Sequence, residues 1–327
     1  MKALLSRKSG GPESLELSEV SDPHPGRGEI RIAVRACAIN FPDVLIIEDK
    51  YQLSPKRPFS PGSEISGVVE SLGEETVGFA VGQRVMALIT CGGLAEFAVA
   101  QVAQCTAIPE SLPFDEAAAF QVTYGTSYHA LVDRAALKSG ETLLVLGASG
   151  GVGLASIEIG ISLGARVVAA VSSAEKAEIA ARAGASQVLV YPASPDNPKA
   201  LSACFKEACP GGANVIYDPV GGAYAEPALR SIAWEGRYLV VGFAAGISAP
   251  PLNLALLKGC SIVGVFWGAW AQRFPEKQIK NNQALLALYA RGSIKPLVSE
   301  RFSLERGGAA IRQLADRKAV GKLVVVI

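Results

Sequence analysis

Paired metal-binding residues are missing from this 327-residue sequence. It has two histidines, His24 and His129, and six cysteines, none of which forms a Cys-x-x-Cys pair. A structural zinc site needs four nitrogen or sulfur ligands and usually has paired spacing. We therefore expect no metal site, and reduced, mostly buried thiols of the kind found in a reducing compartment.

An excess of charge and a long apolar run are missing as well. The formal net charge is +1, so no basic field argues for nucleic acid or for an anionic membrane as a partner. No segment has the length and freedom from charge needed to cross a bilayer, and the first ten residues do not resemble a signal peptide. We expect a soluble, cytoplasmic protein that acts on a small molecule.

The first part of the chain has the pattern of short strands. Residues 29–39 alternate between apolar and polar side chains, which is typical of a half-buried strand. Similar runs follow at 65–72, 83–89 and 95–100, with Gly and Pro between them. Many short strands without a long helix between them predict a small antiparallel barrel or sandwich over residues 1 to about 115.

The pattern changes near residue 125, where a helical segment is followed by alternating strands and helices. The predicted strands are 142–147, 166–171, 187–190, 214–218 and 237–243, and the predicted helices are 151–163, 174–183, 198–208 and 222–232. Continuous apolar strands separated by helices indicate an α/β domain with a parallel sheet. A further strand at 261–267, helices near 276–291 and 307–317, and a last strand at 322–327 complete the chain, and we expect its end to fold back onto the first domain.

A glycine-rich turn follows the first strand of the alternating region. Gly147, Gly150 and Gly153 have the spacing G-x-x-G-x-x-G, one residue longer in its first half than the usual dinucleotide fingerprint. Glycines let the backbone approach a pyrophosphate, and the helix that follows offers unpaired N–H groups and the positive end of its dipole. Because the turn lies between an apolar strand and a helix, it predicts a dinucleotide site.

The end of the second strand of this region carries no acid. Where NAD-binding proteins place an aspartate or glutamate on the ribose hydroxyls, this chain has Ser172 and Ser173, with Lys176 one helical turn further on. A carboxylate would repel a 2′-phosphate, whereas a hydroxyl and an ammonium would bind it, at about 1.5–3 kcal/mol for each charge-assisted hydrogen bond. We therefore expect NADPH rather than NADH. The alternative is that this serine-rich run only caps a helix.

Several segments around these residues match one family. They are 39–45 (INFPDVL), 61–69 (PGSEISGVV), 81–88 (VGQRVMAL), 117–131 (AAAFQVTYGTSYHAL), 147–155 (GASGGVGLA), 217–222 (YDPVGG), 236–243 (GRYLVVGF) and 316–325 (DRKAVGKLVV). Through them the chain resembles the medium-chain dehydrogenase/reductase superfamily, and within it the zinc-free NADPH:quinone oxidoreductase (zeta-crystallin-like) branch, over nearly its whole length.

The resemblance implies an α/β fold of two domains with the cofactor in the cleft between them. A GroES-like antiparallel β-barrel, the catalytic and substrate domain, would comprise residues 1–122 and 256–327. A Rossmann domain with a doubly wound parallel sheet would comprise residues 123–255, and strand 261–267 would extend its sheet. The same strand looks like the edge through which relatives form homodimers, so a homodimer is expected, although any outer strand of such a sheet has this apolar pattern.

The resemblance also bears on metal chemistry. Zinc-dependent relatives have a Cys ligand where Asn40 stands, a His where Ser63 stands and a Cys near Val122, and the four-cysteine structural lobe is absent here as well. Without a metal the protein cannot readily polarise an alcohol for oxidation. Reduction of an electron-poor acceptor needs only a well-placed hydride and some stabilisation of the resulting oxyanion.

The family further implies which residues contact NADPH. Asn40 would lie near the nicotinamide or the substrate carbonyl, and Thr126 near the nicotinamide half of the cofactor. The others are the pyrophosphate turn (Ser149, Gly150, Gly151 and Val152), the surroundings of the 2′-phosphate and adenosine ribose (Ser172, Lys176, Tyr191 and Arg317), and segments that pass the cofactor (Phe243, Ala244, Val265, Phe266 and Trp267). Tyr191 and Phe243 would alternatively be core aromatics, and Arg317 a solvated charge at a helix end.

On the substrate side, the resemblance points to Tyr51, whose phenol would hydrogen-bond a quinone oxygen or deliver a proton. An exposed loop tyrosine is the competing interpretation. Asp43 is a second polar candidate in the cleft, and it could equally cap the following turn. His129, in the middle of a predicted helix, is expected to be packed rather than catalytic.

The expected function is a zinc-independent, NADPH-dependent reduction of a quinone or another activated carbonyl or alkene, with Asn40 and Tyr51 stabilising the developing negative charge. One alternative is an enoyl-thioester or alkenal double-bond reductase, because the fold is shared and the acceptor depends on pocket walls that the sequence does not reveal. The other is a non-catalytic NADPH-binding protein, structural or RNA-binding, as some relatives are.

Overall fold

The protein consists of two units, which a computed structural model describes over residues 1–192 and 197–327. One unit is formed by Met1–Val122 together with Pro296–Ile327, and the other by Thr123–Lys295. The C-terminal segment therefore returns to the first unit, as the sequence predicts. Within the described ranges, every helix is too short or too polar to cross a membrane.

The strands are numbered in chain order. They are β1 (Lys2–Ser6), β2 (Leu15–Glu19), β3 (Glu29–Ala38), β4 (Glu64–Leu72), β5 (Arg84–Leu88), β6 (Phe97–Gln101), β7 (Cys105–Ala107), β8 (Thr142–Leu146), β9 (Arg166–Val171), β10 (Gln187–Val190), β11 (Ala213–Asp218), β12 (Ile232–Val240), β13 (Ser261–Gly264), β14 (Val298–Ser303) and β15 (Lys322–Val326).

The α-helices are numbered in the same way. They are α1 (Phe41–Ile47), α2 (Phe114–Ala118), α3 (Gln121–Tyr128), α4 (Gly151–Ser162), α5 (Ala174–Arg182), α6 (Pro198–Ala208), α7 (Ala225–Leu229), α8 (Asn253–Lys258), α9 (Trp267–Arg273), α10 (Pro275–Ala290) and α11 (Gly307–Ala315).

The first unit is built on a sheet in the order β14-β15-β3-β4-β5-β7, with β6 also paired to β3. All of these pairs are antiparallel except β14 with β15. β3 alternates as its sequence predicts, because Ile30, Ile32 and Val34 are buried in the core of this unit. The register pairs Val324 of β15 and Glu64 of β4 with the same residue of β3, Ala38, so the three strands end close together at this point.

The second unit contains a parallel sheet in the order β10-β9-β8-β11-β12-β13. Counted from β8, this is the order 3-2-1-4-5-6 of a doubly wound Rossmann sheet. The central strands are buried along almost their whole length, which explains their continuous apolar sequence. The predicted parallel sheet is therefore confirmed.

Residues 256–295 lie in the second unit. The sequence-based boundary grouped 256–327 with the first domain, except that strand 261–267 was expected to extend the parallel sheet, as β13 does. β13 adds a strand beside β12, and Trp267 packs so closely on Gly125 that a Cβ there would lie 2.6 Å from its indole ring. α10 is held in the same unit, because Gln278 accepts a hydrogen bond from Trp267 Nε1. The Lys295 N–H donates to Glu158 of α4 at 3.0 Å, so the segment stays with the second unit as far as this residue.

Several elements also differ in length from the prediction. β13 ends at Gly264, and α9 begins at Trp267, within the predicted strand 261–267. The helix predicted over 222–232 is a 3-10 turn followed by the short α7, because β12 begins at Ile232. The helical segment near residue 125 is α3, followed by a π-helical turn over His129–Arg134.

Candidate functional site

The glycine-rich turn of the second unit has the geometry that its spacing predicts. Gly147 has a φ of +58°, a left-handed conformation that favours glycine, and a Cβ there would lie 2.8 Å from the side chain of Val220. At Gly153 a Cβ would lie 2.4 Å from the Gly147 carbonyl oxygen, so this glycine lets α4 pack on the turn. Both glycines are thus required by packing inside the unit.

Gly150 is different, because nothing in the described parts of the protein requires a glycine there. Its φ is −76°, and a Cβ would meet only the Gly147 carbonyl oxygen, at an ordinary 3.5 Å. It precedes α4, whose first-turn N–H groups at Val152 and Gly153 donate to no acceptor within residues 1–192 and 197–327. An open backbone surface at a helix N-terminus is suited to an anion such as a pyrophosphate. Ser149 is buried beside it.

The residues at the end of β9 form an organised cation–hydroxyl pair. Lys176 Nζ donates to Ser172 Oγ at 3.3 Å, and both side chains are half-buried. The cap of α5 is Ser173, whose hydroxyl oxygen accepts from the Lys176 backbone N–H. Because Ser173 caps the helix, Ser172 remains available with Lys176 for a ligand phosphate. The capping alternative therefore accounts for one serine only.

Tyr191 packs in the core of the second unit, in the manner of the core-aromatic alternative. Its ring contacts those of Tyr224, at 4.9 Å between centroids, and Phe205. Burial raises the pKa of its phenol well above the usual range, and the backbone of Gly147 opposes this rise. Tyr191 is thus a packing residue of this unit, and contact with a ribose phosphate stays a prediction.

Thr126 lies half-buried on α3, next to a residue that the sequence did not single out. Ser127 donates to the carbonyl oxygen of Val152 at 3.0 Å and shares a hydrogen bond of 2.9 Å with the Tyr217 hydroxyl. Ser127 is therefore tied both to the first turn of α4 and to β11. It fixes the part of α3 that carries Thr126 relative to the glycine-rich turn.

The turn after β11 is shaped by Asp218, which sequence reasoning also missed. Its Oδ1 accepts from the backbone N–H groups of Val220 and Gly221 at 2.8 Å each, and its Oδ2 accepts from the Tyr238 hydroxyl. The Ala244 N–H donates to Pro219 at 3.3 Å, which joins this turn to the end of β12. Phe243, next to it, is 48% exposed and is not a core aromatic.

The segment after β13 has mixed surroundings. Val265 continues the sheet by donating its N–H to Val240, and Phe266 is 61% exposed. Trp267 is only 5% exposed, so its indole is a packing residue of this unit. His129 is buried against Trp270, with 4.1 Å between ring centroids, and the prediction that it is packed is confirmed.

Arg317 belongs to the first unit, unlike the other residues predicted to surround the adenosine ribose. It follows α11 with a φ of +57° and an exposed side chain. Its backbone N–H donates to Leu314 at 3.0 Å. A role as a cation for the 2′-phosphate stays a prediction, and the solvated helix-end charge remains the alternative.

In the first unit, Asn40 is held by a buried network of polar side chains. Its Nδ2 donates to Glu64 Oε2 at 2.9 Å and, at 3.5 Å, to the Ala38 carbonyl oxygen. Its Oδ1 accepts from Lys322 Nζ at 2.6 Å. Both amide hydrogens of Asn40 are thus engaged inside the unit, and its Oδ1 is engaged by Lys322.

Asp43 holds two backbone segments together. Its Oδ2 accepts from the Asn40 N–H at 2.7 Å and closes a capping box at the start of α1, while its Oδ1 accepts from the Gly62 N–H at 3.1 Å. Its side chain is fully buried, and burial raises the pKa of its carboxyl to about 6, although the two N–H groups and Lys322 favour the anion. The capping role is present, and any contact with substrate stays a prediction.

Tyr51 is half-buried and packs against the core of the first unit. Burial raises the pKa of its phenol, and the negative charge of Asp43 raises it further. The same two causes raise the pKa of the Cys91 thiol. Both groups are therefore protonated at neutral pH, so Tyr51 can act as a hydrogen-bond donor and Cys91 is not an activated thiolate.

The donors at the positions of the zinc ligands in zinc-dependent relatives do not suit a catalytic zinc ion. Asn40 offers an engaged amide and Ser63 a hydroxyl where those relatives have a thiolate and an imidazole, and Val122, near the third ligand position, has an apolar side chain without a donor atom. The ammonium of Lys322 contacts the first of them. In the described parts of the chain, no group of three or more His, Cys, Asp or Glu side chains could hold a metal ion.

Comparison with known proteins agrees with the two units. The family model for an alcohol dehydrogenase GroES-like domain matches residues 26–110, and the one for a zinc-binding dehydrogenase matches residues 151–281, which include none of the three ligand positions. The quinone oxidoreductase-like protein 2 homolog of Nematostella vectensis is 37% identical over 329 residues, which cover 99% of this chain and 88% of that protein.

Solved structures match over the full length. A probable oxidoreductase from Mycobacterium abscessus is 35% identical, with a TM-score of 0.89 over 100% of this chain and 99% of that one. A mycobacterial protein in complex with NADPH is 29% identical, with a TM-score of 0.92 over 100% of both chains.

A GroES-like unit and a Rossmann unit in one chain define the medium-chain dehydrogenase/reductase superfamily, and both predicted domain types are thereby confirmed. The chain belongs to this superfamily. Within it, the chain belongs to the quinone oxidoreductase branch, because it is 37% identical over 99% of its length to a quinone oxidoreductase-like protein.

Proposed function

We propose that the protein is a zinc-independent, NADPH-dependent reductase that delivers hydride to a quinone or another activated carbonyl or alkene. The observation that carries this proposal is the open backbone surface at Gly150 in the same unit as the Lys176–Ser172 pair. The first is suited to a pyrophosphate and the second to a 2′-phosphate. The names of the relatives, and the NADPH complex of one structural neighbour, support the same assignment.

The residues of the second unit fit the cofactor in a definite way. The N–H groups of Val152 and Gly153 would donate to the pyrophosphate, and a side chain at Gly150 would occupy the space that the pyrophosphate needs. Lys176 and Ser172 would bind the 2′-phosphate, a combination that a carboxylate at this strand end would oppose. When bound, NADPH supplies a hydride from its nicotinamide ring.

Residues of the first unit would stabilise the negative charge that hydride transfer leaves on the acceptor and would supply a proton to it. Hydride addition to a quinone or enone leaves an oxyanion, and neutral product forms when a proton is added to it. The phenol of Tyr51, which stays protonated at neutral pH, would donate to that oxygen. Asn40, whose amide hydrogens are engaged by Glu64 and Ala38, would not donate to that oxygen and would contribute through the fixed position of its side chain near the nicotinamide or the substrate carbonyl.

Zinc independence is part of the proposal, and it is supported by the set of donor groups. An amide, a hydroxyl and an apolar side chain at the three ligand positions do not favour zinc over water. We expect protein treated with a chelator and then freed of it to retain its activity within about 20%, since no step of the proposed reaction needs a Lewis acid.

The test of the proposal is to follow NADPH oxidation with three acceptors in parallel: an ortho-quinone, an alkenal and a crotonyl thioester. The proposal expects turnover with the quinone, and with NADPH in preference to NADH. A strict preference for the alkenal or the thioester would favour the double-bond reductase alternative. Tight NADPH binding without turnover of any acceptor would support the binding-protein alternative and overturn the proposal.

We also propose that the protein is a homodimer formed through β13, an outer strand of the parallel sheet. Ile262 on this strand is 40% exposed, and Trp234 on the neighbouring β12 is 70% exposed. An open strand edge with exposed apolar side chains is suited to pairing with a second copy. Light scattering should give a dimer for the parent and for Ile247→Lys, whose side chain is 85% exposed elsewhere, and a monomer for Ile262→Lys.

The cytoplasmic location stays a prediction. All six cysteines are free thiols, which suits a reducing compartment. Fractionation of cells that express the tagged protein would check it.

A further inference from the structure

Lys322 is a buried lysine without a role in the proposed reaction. It is the first residue of β15, and the antiparallel register of β15 against β3 brings it opposite Asn40, just beyond the last paired residues. Its side chain is 6% exposed, and its ammonium donates to Asn40 Oδ1 at 2.6 Å, Glu64 Oε2 at 3.1 Å and the Ile39 carbonyl oxygen at 3.2 Å. All three donors of the ammonium are therefore satisfied.

The network determines which way the amide of Asn40 faces. Oδ1 must face the ammonium of Lys322, because a reversed amide would place two N–H groups against a group that only donates. Nδ2 must face Glu64, which has no hydrogen to offer as a carboxylate. The second oxygen of Glu64 accepts from the Val122 N–H at 2.7 Å, so the carboxylate is itself fixed.

We propose that Lys322 is a positioning residue for hydride transfer: its ammonium holds the side-chain amide of Asn40 in the one orientation that the reaction uses. This inference rests on the proposed function. Lys322 touches neither substrate nor cofactor in this scheme, and it acts only through Asn40 and Glu64.

The alternative is that Lys322 only offsets the buried charge of Glu64. Removing one partner of a buried ion pair destabilises a protein, so Lys322→Met alone would confuse the two roles. The double variant Glu64→Gln/Lys322→Met removes both charges. The side-chain amide that it introduces presents a donor where Glu64 had only acceptors, which favours a reversed Asn40 amide.

The experiment measures melting temperature, NADPH dissociation constant, kcat and KM for the parent, Lys322→Met, Lys322→Arg and the double variant. Lys318→Met, at an exposed lysine just before β15, is the control. We expect the double variant to regain most of the melting temperature that Lys322→Met loses, yet to keep a kcat at least about 10-fold below the parent. NADPH affinity should change less than about two-fold, and Lys322→Arg should recover part of the lost kcat because it keeps the charge and the donors.

The inference is overturned if kcat returns together with the melting temperature in the double variant. It is also overturned if Lys322→Met and Lys318→Met have the same kcat. Failure of the proposed function has a different signature, because the parent protein itself would then fail to bind NADPH or to turn over any of the three acceptors.

Discussion

Lys176 Nζ lies 3.3 Å from Ser172 Oγ, one helical turn away across the start of α5, and Ser173 rather than Ser172 caps that helix. The pair therefore presents an ammonium and a hydroxyl at the end of β9. Ser172→Asp should reverse the cofactor preference, because a carboxylate repels the 2′-phosphate of NADPH and accepts from the ribose hydroxyls of NADH. We expect kcat/KM with NADPH to fall about 100-fold or more, in steady-state assays with both cofactors.

A matched pair of lysine variants checks the same site. Lys176→Ala should raise the NADPH dissociation constant about ten-fold and leave that of NADH unchanged. Lys206→Ala, at an exposed position of α6, should change neither. Equal efficiency of the parent protein with the two cofactors would contradict the assignment.

Substitutions at two glycines of the glycine-rich turn should affect NADPH binding and stability differently. Gly150→Ala meets no close contact inside the described protein and should lower the free energy of unfolding by at most about 1 kcal/mol, the usual cost of alanine at an N-cap. It should nevertheless weaken NADPH binding at least about ten-fold, because its methyl group occupies the space of the pyrophosphate.

Gly153→Ala should behave in the opposite way. Its Cβ would lie 2.4 Å from the Gly147 carbonyl oxygen, so α4 must move off the turn, and we expect a loss of about 2 kcal/mol or more in urea unfolding. If Gly150→Ala binds NADPH as tightly as the parent, as measured by fluorescence titration, the pyrophosphate does not lie at Gly150.

The parallel sheet and the glycine-rich turn could be predicted from the sequence, because each depends on the pattern of residues within one short segment. β8 and β9 are continuous apolar runs since both faces are buried, and Gly147 and Gly153 mark a turn that only glycine permits. β14 was missed because it is mostly polar and exposed, and α1 because its seven residues make only about two helical turns.

The network around Asn40 could not be predicted in the same way. Lys322 is 282 residues away in sequence, and its contact with Asn40 depends on the register of β15 against β3. A lysine that begins a terminal strand ordinarily indicates a solvated end. Trp267 shows the same limit, because its burial depends on Gly125, and nothing in the local sequence distinguishes a packing indole from one that meets a ligand.

The free energy of unfolding should depend on pH because of Asp43. Burial raises the pKa of its carboxyl from an ordinary 3.8 to about 6, so the folded state binds this proton more tightly than the unfolded state does. The stability that this proton adds is fully present below pH 4 and is lost as the pH rises through 6. A pKa difference of about 2 corresponds to roughly 3 kcal/mol.

Urea unfolding from pH 4 to pH 7, with Asp43→Asn as the reference, would measure this change. Because asparagine does not titrate, the parent should lose about 3 kcal/mol of unfolding free energy relative to Asp43→Asn between pH 4 and pH 7. A difference that stays constant with pH would mean that Asp43 has an ordinary pKa.

Tyr51→Phe tests the proton donor of the proposed reaction. The substitution removes one hydroxyl from a half-buried ring whose pKa is raised by burial and by Asp43, so the parent carries an O–H at neutral pH. We expect kcat to fall about 100-fold with a quinone or alkenal, the usual effect of losing a general acid. NADPH affinity should not change, because the phosphate-binding residues belong to the other unit.

Tyr128→Phe, at a half-buried tyrosine of α3, is the control and should keep its kcat. A Tyr51→Phe protein as fast as the parent with all three acceptors would exclude Tyr51 as the donor and leave water to protonate the product.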